Sequence, residues 1–131
     1  MSSISSILPE RHFLEINIPH SELRALSSPE ITYRLRFRVN ILNISRVHLR
    51  LLARKWVFED TAGQLHIIEA ERVFGSTPIL APRGVFSYGG EHVFARKPVH
   101  LALRFIGVDQ LLMPFISTPF IFSAKQLSAF H

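Results

Sequence analysis

Residues 51–90 read LLARKWVFEDTAGQLHIIEAERVFGSTPILAPRGVFSYGG, and this stretch decides the fold. Leu51, Arg54, Trp56 and Phe58 anchor a strand that ends at Asp60. Asp tolerates turn geometry and glycine supplies a positive φ, so Asp60-Thr61-Ala62-Gly63 predicts a tight hairpin turn. Residues 64–74 form the return strand, and Gly75 to Pro78 breaks it. Leu80-Ala81-Pro82-Arg83-Gly84 predicts a second turn, with a short strand over 85–88.

Before that stretch, Ile31, Tyr33, Leu35, Phe37, Val39 and Ile41 fall on one side of an alternating run. Thr32, Arg34, Arg36, Arg38 and Asn40 fall on the other. Such alternation predicts a half-buried antiparallel strand. After a turn at 43–46, Val47, Leu49 and Leu51 point inward. The inward direction then passes to Leu52, Arg54, Trp56 and Phe58, which requires a β-bulge near Leu51–Leu52. Residues 12–18 alternate as a first strand, and 20–30 read as a loop with a helical turn. Residues 99–106 and 111–122 predict the last strands, joined by a hairpin at 107–110. Pro114 and Pro119 suggest an edge position or bulges there. No window sustains helical periodicity, and seven to eight short strands with regular turns predict an all-β sandwich of two antiparallel sheets.

The chain has 131 residues, 47% of them hydrophobic, enough for one domain with its own core. The expected organisation is a leader at 1–10, a single domain at 11–123 and a tail at 124–131. There is no cysteine, which excludes disulfides and thiolate metal sites. No segment reaches the roughly 20 apolar residues of a membrane helix, and the Ser-rich start lacks a signal-peptide pattern. A cytoplasmic protein without membrane contact is expected. The net charge is +5, and twelve of the fifteen basic residues are arginine. That balance favours an anionic partner or plain solubility.

Three pieces stand in order at spacings that resemble the ApaG family. The first is Leu51-Leu52-x-Arg54-x-Trp56-x-Phe58-x-Asp60 with Gly63 after it. The second is Gly75-x-x-Pro78-x-Leu80-x-Pro82 followed by Phe86-x-Tyr88, and the third is Pro119-Phe120-x-Phe122. The resemblance covers about residues 31–122. It implies an immunoglobulin-like or fibronectin type III-like sandwich with no established catalytic residues. It also implies a protein-interaction role, and for bacterial members a link to cobalt and magnesium homeostasis. Bacterial members often carry a G-x-G-x-x-G stretch suggested to bind pyrophosphate or nucleotide. Here the aligned residues are Ala70-Glu71-Arg72-Val73-Phe74-Gly75, and only the last glycine remains.

Arg34, Arg36 and Arg38 repeat at roughly 7 Å along one strand face, and they form the expected interaction surface. The bland reading is a solvated face neutralised by carboxylates such as Glu15, Glu69 and Glu71. Stacking of bases would need exposed aromatics among the arginines. Tyr33 and Phe37 have the opposite parity, so nucleic acid is not expected. Arg72 and Gly75 form the alternative, an anion-binding turn at 70–76 for pyrophosphate or nucleotide. Trp56 reads as a core anchor. The seven histidines show no close-spaced motif, so neither metal nor cofactor is expected. Glu59 and Asp60 diverge around a turn, and Glu69 and Glu71 read as a solvated edge, so no enzyme is expected. The reading is a non-enzymatic interaction module with an unidentified protein partner, as a monomer or a weak homodimer through a strand edge.

Overall fold

The computed structural model describes residues 7–27, 30–73, 75–123 and 128–130. The strands are β1 (Glu10–Arg11), β2 (Leu14–Leu26), β3 (Thr32–Asn43), β4 (Leu49–Asp60), β5 (Leu65–Glu71), β6 (Ile79–Leu80), β7 (Val85–Phe94), β8 (Pro98–Asp109), β9 (Pro114–Ser117), β10 (Phe120–Ser123) and β11 (Ser128–Phe130). The larger sheet has the order β1-β9-β8-β4-β5, with β10 also on β8 and β6 also on β4. The smaller has the order β11-β2-β3-β7. All neighbours are antiparallel except β1 with β9 and β11 with β2, which are parallel. Of the expected leader, residues 1–6 lie outside the described residues. Of the expected tail, 124–127 and 131 do.

The two sheets pack face to face as a β-sandwich. Phe37 on β3 meets Trp56 on β4 at 5.2 Å between ring centroids, and Phe58 meets Phe94 on β7 at 4.5 Å. Leu35, Val39 and Ile41 enter this core from one sheet, and Leu101, Leu103 and Phe105 from the other. Each such side chain contributes roughly 1.5–3 kcal/mol of burial, and Trp56 is the anchor its position predicts, only 5% exposed. The register slips between Leu51 and Ala53, where the parity change demanded a bulge, and Trp56 and Phe58 return to the core.

Several boundaries differ from expectation. Residues 20–26 are not a loop with a helical turn. β2 continues to Leu26 through an irregularity between Asn17 and His20, next to Pro19, and Leu23 is buried opposite Leu35. Ile31 lies before β3 opens and is exposed rather than inward. The return strand stops at Glu71. The strand expected over 85–88 runs to Phe94, because Gly90 leaves room for the Phe37 ring instead of making a turn. A Cβ on Gly90 would stand 2.9 Å from the Phe37 ring. Gly107 stays inside β8, where a Cβ would strike the Arg50 carbonyl at 2.5 Å, and the turn comes later, at 110–113. The last expected strand divides into β9 and β10 around Thr118-Pro119.

Two polar side chains set the loops. Asp60 accepts from the Ala62 and Gln64 amides at 2.8 and 3.0 Å, which shapes the hairpin with Gly63 at φ +80°. Asn43, fully buried, ties the β3–β4 connection to the β6–β7 turn.

Candidate functional site

The three arginines lie on the outer face of the smaller sheet. Antiparallel pairing puts opposed residues on the same face, so the surroundings of each can be read from register. Arg36 stands between Glu22 and Glu91, and its Nε donates to Glu91 Oε2 at 3.2 Å. Arg38 stands between His20 and Gly89, with its guanidinium 3.6 Å from where a Gly89 Cβ would be. Arg34 stands between Arg24 and the exposed Val93, and its Nε is buried without a hydrogen-bond partner among the described residues. Glu15 lies opposite Leu42, while Glu69 and Glu71 belong to β5 of the other sheet. The structure thus gathers the three arginines as the alternation predicts, with Arg36 already answered by a carboxylate.

Arg72 and Gly75 lie in the connection from β5 to β6. Both have positive φ, +68° and +72°. That is the left-handed backbone glycine favours, here adopted by an arginine whose amide donates to the Leu52 carbonyl. Both residues are exposed. Phe74 lies outside the described residues.

On the outer face of the larger sheet, one cross-strand row runs Ile121, Ala102, Val57, Ile67. Ile121 and Ile67 are 67% and 59% exposed, and Leu65, one pleat along β5, is 63% exposed. The next row pairs Lys55 with Glu69 at 3.7 Å, and Arg104 with Glu10 at 2.8 Å. On the other side Leu65 stands opposite Glu59, which stands opposite His100, so charged residues flank the apolar row on both sides without breaking it. This face follows from the bulge: once Trp56 and Phe58 turn inward, Val57 turns out.

A small cleft of about 70 Å³ opens on the opposite side of β5, where the edge strands β5 and β7 face each other across the sandwich. Arg54, Trp56, Ile68, Phe37, Gly90, Glu91 and His92 line it. The Arg54 Nη1 donates to the Val73 carbonyl. Burial, followed by the Arg54 charge, holds the His92 imidazole below its ordinary value. Sequence reasoning did not single out this pair as a site. The signal was the parity of Arg54 with Trp56 and Phe58, which points an arginine inward. His92 needed β7 to extend past Tyr88.

Asp60, His66 and Arg96 form a further polar cluster. His66 Nε2 lies 2.9 Å from Asp60 Oδ2, and Arg96 Nε lies 4.0 Å away. The His66 hydrogen bond, against the opposing effect of burial, holds the Asp60 carboxyl below its ordinary range. His66 stacks on Phe58 at 4.6 Å. This group caps a turn. Among the described residues, no group of three or more His, Asp or Glu is placed to hold a metal ion, and no helix is long and apolar enough to cross a membrane.

Residues 24–102 match the profile of the ApaG domain. The chain is 28% identical over 88 residues to Protein ApaG of Ectopseudomonas mendocina, covering 66% of this chain and 70% of that protein. It is 36% identical over 76 residues to Protein ApaG of Allorhizobium ampelinum, covering 57% of this chain and 58% of that protein. Among solved structures, the putative ApaA protein from Bordetella pertussis superposes with a TM-score of 0.66 at 18% identity, over 90% of this chain and 98% of that one. A Northeast Structural Genomics Consortium target superposes with a TM-score of 0.72 at 21% identity, over 88% and 89%. The chain belongs to the ApaG-domain family.

Proposed function

We propose that this member of the ApaG family is a non-enzymatic protein-interaction module, and that its contact surface is the outer face of the larger sheet. The observation that supports this reading is the uninterrupted apolar row Ile121–Ala102–Val57–Ile67, extended by Leu65. Contiguous exposed apolar surface marks interaction sites. The partner is a protein with an apolar contact patch and an acidic surround, since this chain carries +5. The arginine face is the weaker candidate, because exposed ion pairs such as Arg36–Glu91 contribute only about 0–1 kcal/mol. Any link to divalent-cation homeostasis would then run through the partner.

The test is affinity capture with wild type, the pair Ile67→Asp/Ile121→Asp, and Arg34, Arg36 and Arg38 all changed to Glu, each first shown to be folded. The expected result is a partner held by wild type and the arginine variant and lost by the isoleucine variant. Loss only in the arginine variant would move the surface to the smaller sheet. Sedimentation of the same proteins tests the homodimer.

A second reading rests on the positive φ at Arg72 and Gly75. The backbone there keeps a glycine-like course, which supports pyrophosphate or nucleotide binding at the 70–76 turn. A pyrophosphate-dependent rise in melting temperature, abolished by Arg72→Ala, is its expected signature. No rise in wild type would remove it.

A further inference from the structure

We propose that the cleft between β5 and β7 is a carboxylate-binding subsite, in which Arg54 and His92 hold the anionic head and Trp56, Phe37 and Ile68 contact a short apolar stem. The argument begins with charge. Arg54 is half-buried and carries five N–H donors. Its one described hydrogen bond goes to the Val73 carbonyl, and it makes no ion pair among the described residues. His92 points inward opposite Leu35 and packs on Phe94 at 4.8 Å, and its ring makes no hydrogen bond among the described residues. Glu91 is the one acid in the lining, and its carboxylate accepts from Arg36 Nε at 3.2 Å.

A cationic group taken out of water needs an opposite charge or a full set of acceptors. Here two groups able to carry positive charge share one cleft, Arg54 has the Val73 carbonyl as acceptor, and the one lining carboxylate, Glu91, pairs with Arg36 instead. A ligand anion would complete the site, and it would favour the protonated imidazole that burial and Arg54 now disfavour.

The shape selects among anions. A planar guanidinium matches a planar carboxylate. The walls are aromatic and aliphatic, with Phe37 and Trp56 at 5.2 Å, and the space is about 70 Å³. That suits a carboxylate on one or two methylenes better than a phosphate needing donors on all sides. Such a group could come from a small carboxylic acid or from the acidic side chain of a polypeptide lying along the β5–β7 opening. The chemistry of recognition is the same for both.

The test is thermal melting in sodium propionate against sodium chloride at equal ionic strength and pH, on wild type, His92→Gln and Arg54→Gln. Propionate is expected to raise the wild-type Tm. His92→Gln is expected to weaken the apparent affinity by roughly tenfold, the scale of one charge-assisted hydrogen bond. Because Arg54 also holds the Val73 carbonyl, Arg54→Gln is interpreted only if it folds, and His92→Gln decides. No rise in wild type, or unchanged affinity in His92→Gln, overturns the proposal. In a second arm, the peptide acetyl-Gly-Glu-Gly-amide is compared with propionate. Tighter binding of the peptide identifies a polypeptide side chain as the source, and tighter binding of propionate a free acid. Neither arm depends on Ile67 or Ile121, so this proposal and the docking surface can fail separately.

Discussion

Replacing Asn43 should cost more than replacing most surface residues, and the cost can be worked from its partners. The side chain is fully buried. Its Nδ2 donates to the Val47 and Leu80 carbonyls at 2.8 and 3.0 Å, and its Oδ1 accepts from the Ser45 amide and hydroxyl at 2.9 and 2.7 Å. All four hydrogen-bonding positions of the amide are therefore used. In Asn43→Ala, the Ser45 groups are part-exposed and water replaces the lost acceptor. The Val47 carbonyl keeps the Ser45 hydroxyl at 3.1 Å, while the Leu80 carbonyl loses its side-chain donor in a buried place. At about 1 kcal/mol for each lost bond to a carbonyl, plus a small cavity, the expected loss is about 2–3 kcal/mol. Asn43→Asp keeps the shape but turns both donor contacts into oxygen–oxygen contacts and buries a charge. It should cost more than alanine at pH 7, with the difference shrinking in acid as the carboxyl protonates. Urea unfolding followed by Trp56 fluorescence measures both, and an unchanged m-value confirms that stability alone has moved. An alanine variant within about 0.5 kcal/mol of wild type, against the typical cost of lost buried hydrogen bonds, would refute this account. An aspartate variant no worse than alanine at pH 7 would do the same.

Three further outcomes are expected. Gly107→Ala should destabilise by about 1–3 kcal/mol, because its Cβ meets backbone at 2.5 Å. Gly89→Ala, whose nearest contacts are an ordinary 3.6 and 3.7 Å, should be neutral or slightly stabilising by urea unfolding. Stability should fall on acidification in two windows. Below 6.5, the ordinary histidine value, the unfolded chain takes up a proton that folded His92 resists, so stability declines until the lower folded value is reached. Below 3.8, the ordinary Asp60 value, the unfolded carboxyl protonates first, and the contribution of Asp60 is lost as pH falls through its depressed folded value. His92→Gln should flatten the first window and Asp60→Asn the second, as measured by melting temperature against pH.

The parts legible from sequence were those set by strict alternation. The inward face of β3, the bulge at Leu51–Ala53 and the Asp60–Gly63 hairpin follow from period-two patterning and turn chemistry. The parts that were not legible are decided by residues far away in sequence. Gly89 and Gly90 look like a strand terminator until Phe37 is seen to occupy the space beside Gly90. Gly107 looks like a turn residue until the Arg50 carbonyl is seen against it. Residues 20–26 are polar enough to read as a loop, yet β3 lies alongside and carries them as strand. The arginine face was legible because it needs only parity. The cleft was not, because it needs β7 to continue to His92 and β5 to lie across from it.

The apolar row and the cleft meet at β5, because successive side chains on a strand point to opposite faces. Leu65 and Ile67 point outward into the apolar surface, and Ile68 points inward into the cleft. Burying Leu65, Ile67 and Ile121 would contribute roughly 1.5–3 kcal/mol each. Association costs about 4–15 kcal/mol in lost freedom. The row alone therefore supports only weak binding. A polypeptide that covers the row, crosses the exposed edge of β5 and places an acidic side chain against Arg54 and His92 would add a charge-assisted contact to the apolar one. One occupant of both places predicts that Ile67→Asp and His92→Gln each weaken the same partner, with a combined loss that equals the sum of the single losses to within about 0.5 kcal/mol, as for residues that do not touch. A captured partner weakened by Ile67→Asp and untouched by His92→Gln would mean that the row and the cleft serve separate occupants.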